Sequence, residues 1–390
     1  MTGHAPSSFA ALLRGWTRLA LAEGGGPAPV VEALGQTGPR SALTQCRAVV
    51  TLAHVGRLAG DPELVAAALR VQGFVAAHMT DGGVIATVAE DGTPVDTRRR
   101  SYDQCFALLA LAELNAVDPV ATPETELDAL CGFVEAELLD STGVLRDDDG
   151  PETGRRAQNP QMHMLEALFA AYQATGNEVW LTRAEQRIAI AERHFIDPAT
   201  GAVREFIGAD LLPLPGPEGA RREPGHQYEW AWLLHRYADL SGDDAPRSLA
   251  RRMQQFADTH GVRRGGPLDG APFDALDAEG RVTEDTHLLW PLTEAGKLYA
   301  QLGDPAAQRM AELIFDRYFT PGALRWVNQL DGNGTVTWDA ALSRLLYHVA
   351  YFVTEGDRAG LWRLTGPDGQ PGAQDHIAPS SIKEEETPCN

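Results

Sequence analysis

The stretch Ser141-Thr-Gly-Val-Leu145 decides the fold, because it does not stand alone. Related small–glycine–apolar stretches occur at Asp81-Gly-Gly-Val-Ile85, Thr200-Gly-Ala-Val203, Thr259-His-Gly-Val262 and Thr320-Pro-Gly-Ala-Leu324. Their glycines (Gly83, Gly143, Gly201, Gly261 and Gly322) are 58 to 61 residues apart, and Gly24-Gly25-Gly26 lies about one period upstream. Self-similarity at a steady period marks a repeat architecture.

Each period holds two helical stretches of different character. The first is apolar with few charges, at 41–58, 101–114, 160–174, 225–240, 285–302 and 339–353. The second carries polar residues at helical intervals, at 62–78, 124–138, 179–194, 244–258 and 305–319, which leaves it one wet face. Turns such as Gly60-Asp61, Gly176-Asn177, Gly242-Asp243 and Gly303-Asp304 join the two, with glycine at the helix C-terminus. Strand signals are short, at 83–88 and 201–206. Six such hairpins predict an all-α fold, an (α/α)6 barrel with the apolar helices inside. The barrel is expected to fill 1–364 as one domain, and the Pro-, Gly- and Glu-rich segment 365–390 to be an extended tail.

Composition narrows the function classes. A net charge of −21 over 390 residues argues against a nucleic-acid or anionic-membrane partner, either of which needs a basic surface. Cys46, Cys105, Cys131 and Cys389 are scattered without a C-x-x-C pair, which predicts reduced thiols and a cytoplasmic protein. Arg14 and Arg18 interrupt the apolar N-terminus, so no signal peptide is read. The only lysines are Lys297 and Lys383, which disfavours Schiff-base chemistry. No cofactor is expected, and the chain is read as a monomer or homodimer.

In such a barrel the N-terminal ends of the inner helices surround one mouth. Polar and aromatic residues there are Arg47, Tyr102, Asp103, Asn159, His163, Glu166, His226, Glu229, Trp230, His287, Trp290 and His348. Arg47, His163, Glu229 and Trp290 each precede their turn glycine by the same interval, which predicts one depth. His163-Met-Leu-Glu166 and His226-Gln-Tyr-Glu229 share a His-x-x-Glu spacing that puts both groups on one helical face. A carboxylate beside an imidazole raises its pKa and fixes its tautomer, as proton transfer near neutral pH requires. A metal site is disfavoured, because the order is His-x-x-Glu and no H-E-x-x-H occurs. A glycosidase using two of Asp103, Glu166, Glu229 and Glu294 is the rival built from residues alone.

The segments Arg155-Arg-Ala-Gln-Asn-Pro-Gln-Met-His-Met-Leu-Glu-Ala-Leu168, Glu223-Pro-Gly-His-Gln-Tyr-Glu-Trp230, Leu289-Trp-Pro-Leu-Thr-Glu294 and Ser343-Arg-Leu-Leu-Tyr-His348, with Tyr102–Glu113, resemble the N-acylglucosamine 2-epimerase family. The resemblance implies an (α/α)6 barrel and metal-independent chemistry at C1 and C2 of a reducing sugar or sugar phosphate. It implies His226 and His348 as the catalytic acid/base pair. Arg47, His163 and Glu229 fall on positions that bind or polarise the sugar, and Tyr102, Asn159, Glu166, Trp230, His287 and Trp290, from their place at the mouth, complete the expected substrate-binding set. Glu229 is expected to orient His226, and Arg47 and His163 to stabilise an enediolate oxygen. One departure is Leu288, where members often carry a basic residue before Leu-Trp-Pro; His287 stands one step earlier. Isomerisation of mannose or mannose 6-phosphate to the fructose form is the favoured reading. A sugar 2-epimerase comes second, and a silent sugar-binding protein is a more distant alternative.

Overall fold

The structure, a computed structural model, describes residues 5–24, 30–366 and 369–370. The recurring turn has a structural partner in the next inner helix. In four units a buried glutamine in the first turn of that helix bonds both backbone groups of the apolar residue after the turn. Gln161 Oε1 accepts from Leu145 N (3.2 Å) while Gln161 Nε2 donates to Leu145 O (3.1 Å). Gln104 does the same to Val84, Gln227 to Val203 and Gln45 to Val30. The amide thus acts as a one-residue strand, satisfying backbone groups that burial would otherwise leave unpaired.

The inner helices are α2 (Ala42–Ala59), α4 (Ser101–Val117), α6 (Gln158–Thr175), α9 (Pro224–Ser241), α11 (Leu289–Gln301) and α13 (Leu346–Arg358). The outer ones are α1 (Phe9–Gly24), α3 (Pro62–Ala77), α5 (Glu124–Phe133), α7 (Glu178–His194), α10 (Pro246–His260) and α12 (Ala306–Leu313). A short helix, α8 (Gly216–Ala220), lies in a loop. Around the ring α2 packs on α4, α4 on α6, α6 on α9, α9 on α11 and α11 on α13; α13 returns to α2, so the barrel is closed. The inner helices bury nearly every residue, whereas α7 and α10 bury only a stripe. The chain leaves α9 through Gly242 at φ 75°, a left-handed conformation that glycine adopts without penalty.

Two helix starts differ from the pattern-based expectation. The fifth inner helix begins at Leu289, not 285, because Pro291 lacks an N–H and is tolerated only in a first turn. His287–Leu288 is instead a strand paired with Gln329–Leu330. The sixth begins at Leu346 after a 3-10 turn, since 336–338 is used as a strand and Leu342 bridges to Ala33. Cys46, Cys105 and Cys131 are buried free thiols; Cys389 lies outside the described residues. The tail expected from 365 is tied at its start, where Thr365 donates its N–H (3.1 Å) and hydroxyl (2.8 Å) to Ser7 O. Residues 371–390 of it lie outside the described residues. Among the described residues no helix is long and apolar enough to cross a membrane.

Gln161→Met keeps the side-chain volume but leaves Leu145 N–H and C=O buried without partners, at about 1–3 kcal/mol for each group. The expected outcome is a lower urea midpoint; an unchanged midpoint would mean that water replaces the amide.

Candidate active site

His226 is the third residue of α9, behind Pro224 and Gly225. Gly225 is required here, since a Cβ would lie 2.4 Å from Trp290 Cζ3. That close approach brings the Trp290 ring to 4.7 Å from His226 and 5.9 Å from His348, so one indole stands between two imidazoles.

The partner of His226 is not Glu229. Its Nδ1 donates to Glu205 Oε2 (2.8 Å) and lies 3.4 Å from Glu223 Oε2. A side chain in the first turn leans back toward the helix N-terminus, where it meets the N-cap residue Glu223 and the loop residue Glu205. Burial alone lowers the His226 pKa, but Glu205, Glu223 and Glu229 outweigh it and raise the pKa to about 9. The imidazolium is therefore the neutral-pH form. Sequence reasoning missed Glu205, although it sits four residues beyond Gly201 in the recurring turn.

His348 is driven the other way. Its Nδ1 donates to Glu294 Oε1 (2.7 Å), and Glu294 Oε2 lies 2.5 Å from the ammonium of Lys297, which is wholly buried. Burial, then Arg47 and Lys297, push the His348 pKa well below its ordinary value. Glu294 does not reverse this, because Lys297 already offsets its charge. His348 is thus neutral, with Nδ1–H on Glu294 and Nε2 left as a base.

Deeper in the barrel His163 Nδ1 donates to Glu166 Oε2 (3.0 Å), the pairing its spacing predicts, and Tyr347 hydroxyl donates to the same oxygen. Burial lowers the His163 pKa to about 4 despite Glu166. His163 is consequently neutral, and its Nε2 is an acceptor rather than a donor to an oxyanion. That nitrogen lies 4.0 Å from Glu229 Oε1, too far for a hydrogen bond. Both oxygens of Glu229 are buried without a hydrogen-bond partner. Burial, and then Glu294, raise the Glu229 pKa well above the usual range, so it is a neutral acid able to donate. The Arg47 guanidinium lies over Phe106 (4.3 Å) and Tyr347 (4.9 Å) and donates to Tyr102 hydroxyl (2.6 Å). Asn159 opens α6 half-buried, with its Oδ1 unpartnered.

Two expected substrate contacts are placed elsewhere. Trp230 is buried, and its indole N–H donates to Gln158 Oε1 (2.6 Å), whose Nε2 donates to Glu205 Oε2 (3.1 Å). It therefore braces the carboxylate behind His226. His287 has both nitrogens engaged: Nδ1 donates to Pro272 O (2.6 Å) and Nε2 accepts from Arg263 Nε (2.7 Å). It is part of the loop sheet ahead of α11.

Among the described residues three groups bring ligand atoms within 4.8 Å of one another: His163/Glu166/Glu229, Glu205/Glu223/His226 and Glu229/Glu294/His348. The ammonium of Lys297 supplies the positive charge in the third, and protein donors already engage Glu166 and Glu205 in the other two.

Two buried imidazoles of opposite protonation, beside unpartnered donors and acceptors, form a proton-transfer site. The sequence profile of the N-acylglucosamine 2-epimerase (GlcNAc 2-epimerase) family matches residues 33–351. The chain belongs to this family. It is accordingly an enzyme that isomerises or epimerises carbohydrates, which sets the glycosidase and silent-binder readings aside. It is 30% identical over 352 residues to a mannose-6-phosphate isomerase of Rhizobium meliloti, covering 85% of this chain and 90% of that one. It is 28% identical to a D-mannose isomerase of Thermobifida fusca (73% of each chain) and 27% to the N-acylglucosamine 2-epimerase of Bos taurus (64% and 62%). A crystal structure of D-mannose isomerase superposes with a TM-score of 0.76 at 19% identity over 90% of this chain and 96% of that one. A cellobiose 2-epimerase from Bacillus thermoamylovorans superposes equally well, at 17% identity over 89% and 98%.

For this family member Lys297 is a charge the pattern-based reading passed over, having weighed it only as a Schiff-base lysine. Lys297→Met leaves Glu294 buried beside Glu229 and Glu166 with no cation; breaking such a pair costs about 3–5 kcal/mol. Urea unfolding should show that loss, and a change under about 1 kcal/mol would mean the carboxylates are neutral without it.

Proposed function

We propose that the enzyme is a metal-independent aldose–ketose isomerase that converts mannose, or its 6-phosphate, to the fructose form. The observation carrying this reading is the placement of His226 and His348 on the two sides of Trp290, the first held by Glu205 and Glu223 and the second by a Glu294 already paired with Lys297, which drives their pKa values in opposite directions. The family and the mannose isomerases among its relatives support the substrate class.

His226, as imidazolium, protonates the ring oxygen, and the imidazole so formed takes the O1 proton, opening the sugar to its aldehyde and restoring the imidazolium. His348 Nε2 then takes the C2 proton. The C–H electron pair forms the C1–C2 double bond, and the carbonyl pair moves to O1. Donors aimed at that oxygen hold down the cost of the charge; Arg47 and the neutral acid Glu229 fill this role, with His163 Nε2 accepting a sugar hydroxyl. Return of the proton to C1, with the O2 proton passing to O1, gives the ketose. Delivery to C2 from the opposite face gives the 2-epimer through the same intermediate.

Arginines in the loops ahead of the inner helices are tied to acidic neighbours: Arg99 to Asp149, Arg100 to Asp96, Arg156 to Glu152 and Arg221 to Glu284. They staple loops together, which favours the unphosphorylated sugar.

Incubation with mannose in deuterated water and EDTA should yield ketose carrying deuterium at C1. Glucose deuterated at C2 would instead establish the epimerase, and the absence of exchange would sink both. Faster turnover of mannose 6-phosphate than of mannose would overturn the substrate preference. His348→Ala should lose exchange by about 10²-fold or more. In kcat/KM against pH, the alkaline limb belongs to His226 near 9. Glu205→Gln removes a charge that favours the imidazolium, so that limb should move to lower pH. A limb that stays in place would remove His226 as the acid.

A further inference from the structure

A cavity of about 530 Å³ lies away from the histidine mouth. It opens at the opposite end of the barrel, between the C-terminal halves of α2, α4, α6, α9 and α13. Its volume falls within the range of small-molecule sites, about 300–1,000 Å³. Trp232, on its wall, stands six residues beyond His226 along α9, about 9 Å at 1.5 Å per residue.

We propose that this cavity is a second binding site, for a neutral polyhydroxylated molecule of the sugar or polyol class. The indole Nε1 of Trp232 and Oε1 of Glu166 are buried, line the cavity and have no hydrogen-bond partner. One is a donor and the other an acceptor, and a hydroxyl answers both. Phe169 and Tyr172 add aromatic surface on the same wall, of the kind that packs on the apolar face of a sugar. Two of the arginines there are paired within the protein: Arg57 lies 3.6 Å from Glu113, and Arg358 Nε donates to Glu355 (3.1 Å). A phosphate or carboxylate ligand would have to break those pairs, whereas a neutral one leaves them intact.

The two ends share Glu166. Its Oε2 holds His163 and Tyr347 on the catalytic side, its Oε1 is buried without a partner, and the residue also lines the second cavity. Lys297, 4.2 Å from the Trp232 ring, stands in the same partition.

The test follows the indole N–H resonances of the full chain in ¹⁵N-labelled protein, with Trp232 assigned by Trp232→Phe. Titration with mannitol should shift the Trp232 resonance saturably. The shift should persist in Trp290→Phe, which alters the opposite mouth, and vanish in Ala170→Trp, which fills the cavity. Ala116→Trp, nearer its opening, serves the same purpose should the first variant not fold. A Trp232 resonance that mannitol leaves unmoved would overturn the proposal. So would a shift that survives filling of the cavity or is lost in Trp290→Phe. Saturation by inorganic phosphate in place of mannitol would overturn the assigned ligand class.

Discussion

The barrel depends on a buried amide paired with a backbone turn. A ring of six hairpins must bring each outer helix back to the next inner one, and the returning chain has to be buried at the mouth. Buried peptide groups without partners are expensive, and in four units the short strands that pair the loops leave the N–H and C=O of the residue after the turn to a side chain. Gln45, Gln104, Gln161 and Gln227 supply the missing strand from the helix itself. The clamp also reaches the chemistry. Gln227 fixes Val203, two residues before Glu205, and stands one residue after His226 on α9. Holding that turn against that helix sets Glu205 against His226 Nδ1.

The second constraint is charge. Glu166, Glu229 and Glu294 converge where water is excluded, and ions in such a place are costly unless paired. The structure answers each differently. Glu294 is paired with Lys297 and His348, Glu166 takes hydrogen bonds from His163 and Tyr347, and Glu229 gives up its charge. Lys297 is thereby linked to both mouths: through Glu294 it holds the tautomer of His348, and through Trp232 it borders the opposite cavity.

Much of this was legible in the chain. The glycine period and the contrast between charge-poor and amphipathic helices gave six hairpins, and closure followed from their number. The pairing of His163 with Glu166 was readable because both lie within one helix, where spacing fixes geometry. The partner of His226 was not readable in that way. Its position in a first turn directs it at the preceding loop, and loop residues such as Glu205 carry no periodicity. His287 was misplaced by extending a helix through Pro291, a residue that restricts where that helix begins. Trp230 was taken for a sugar contact because its position on α9 adjoins Glu229, yet one residue's rotation turns it toward α6 and Gln158.

His226 and His348, the proposed acid and base, show why residue type alone could not assign the two roles. Both are buried, and burial pushes each toward the neutral form. The difference lies in whether the neighbouring carboxylates are already neutralised. Around His226, Glu205 and Glu223 act together and exceed the burial penalty. Around His348, the carboxylate it bonds, Glu294, is shared with an ammonium, so burial prevails. Burial, Arg47 and Lys297 on one side and paired carboxylates on the other thus drive two chemically identical side chains to opposite protonation. The proposed enediolate reaction needs both at once, and the sequence of each helix read separately contains no sign of that division.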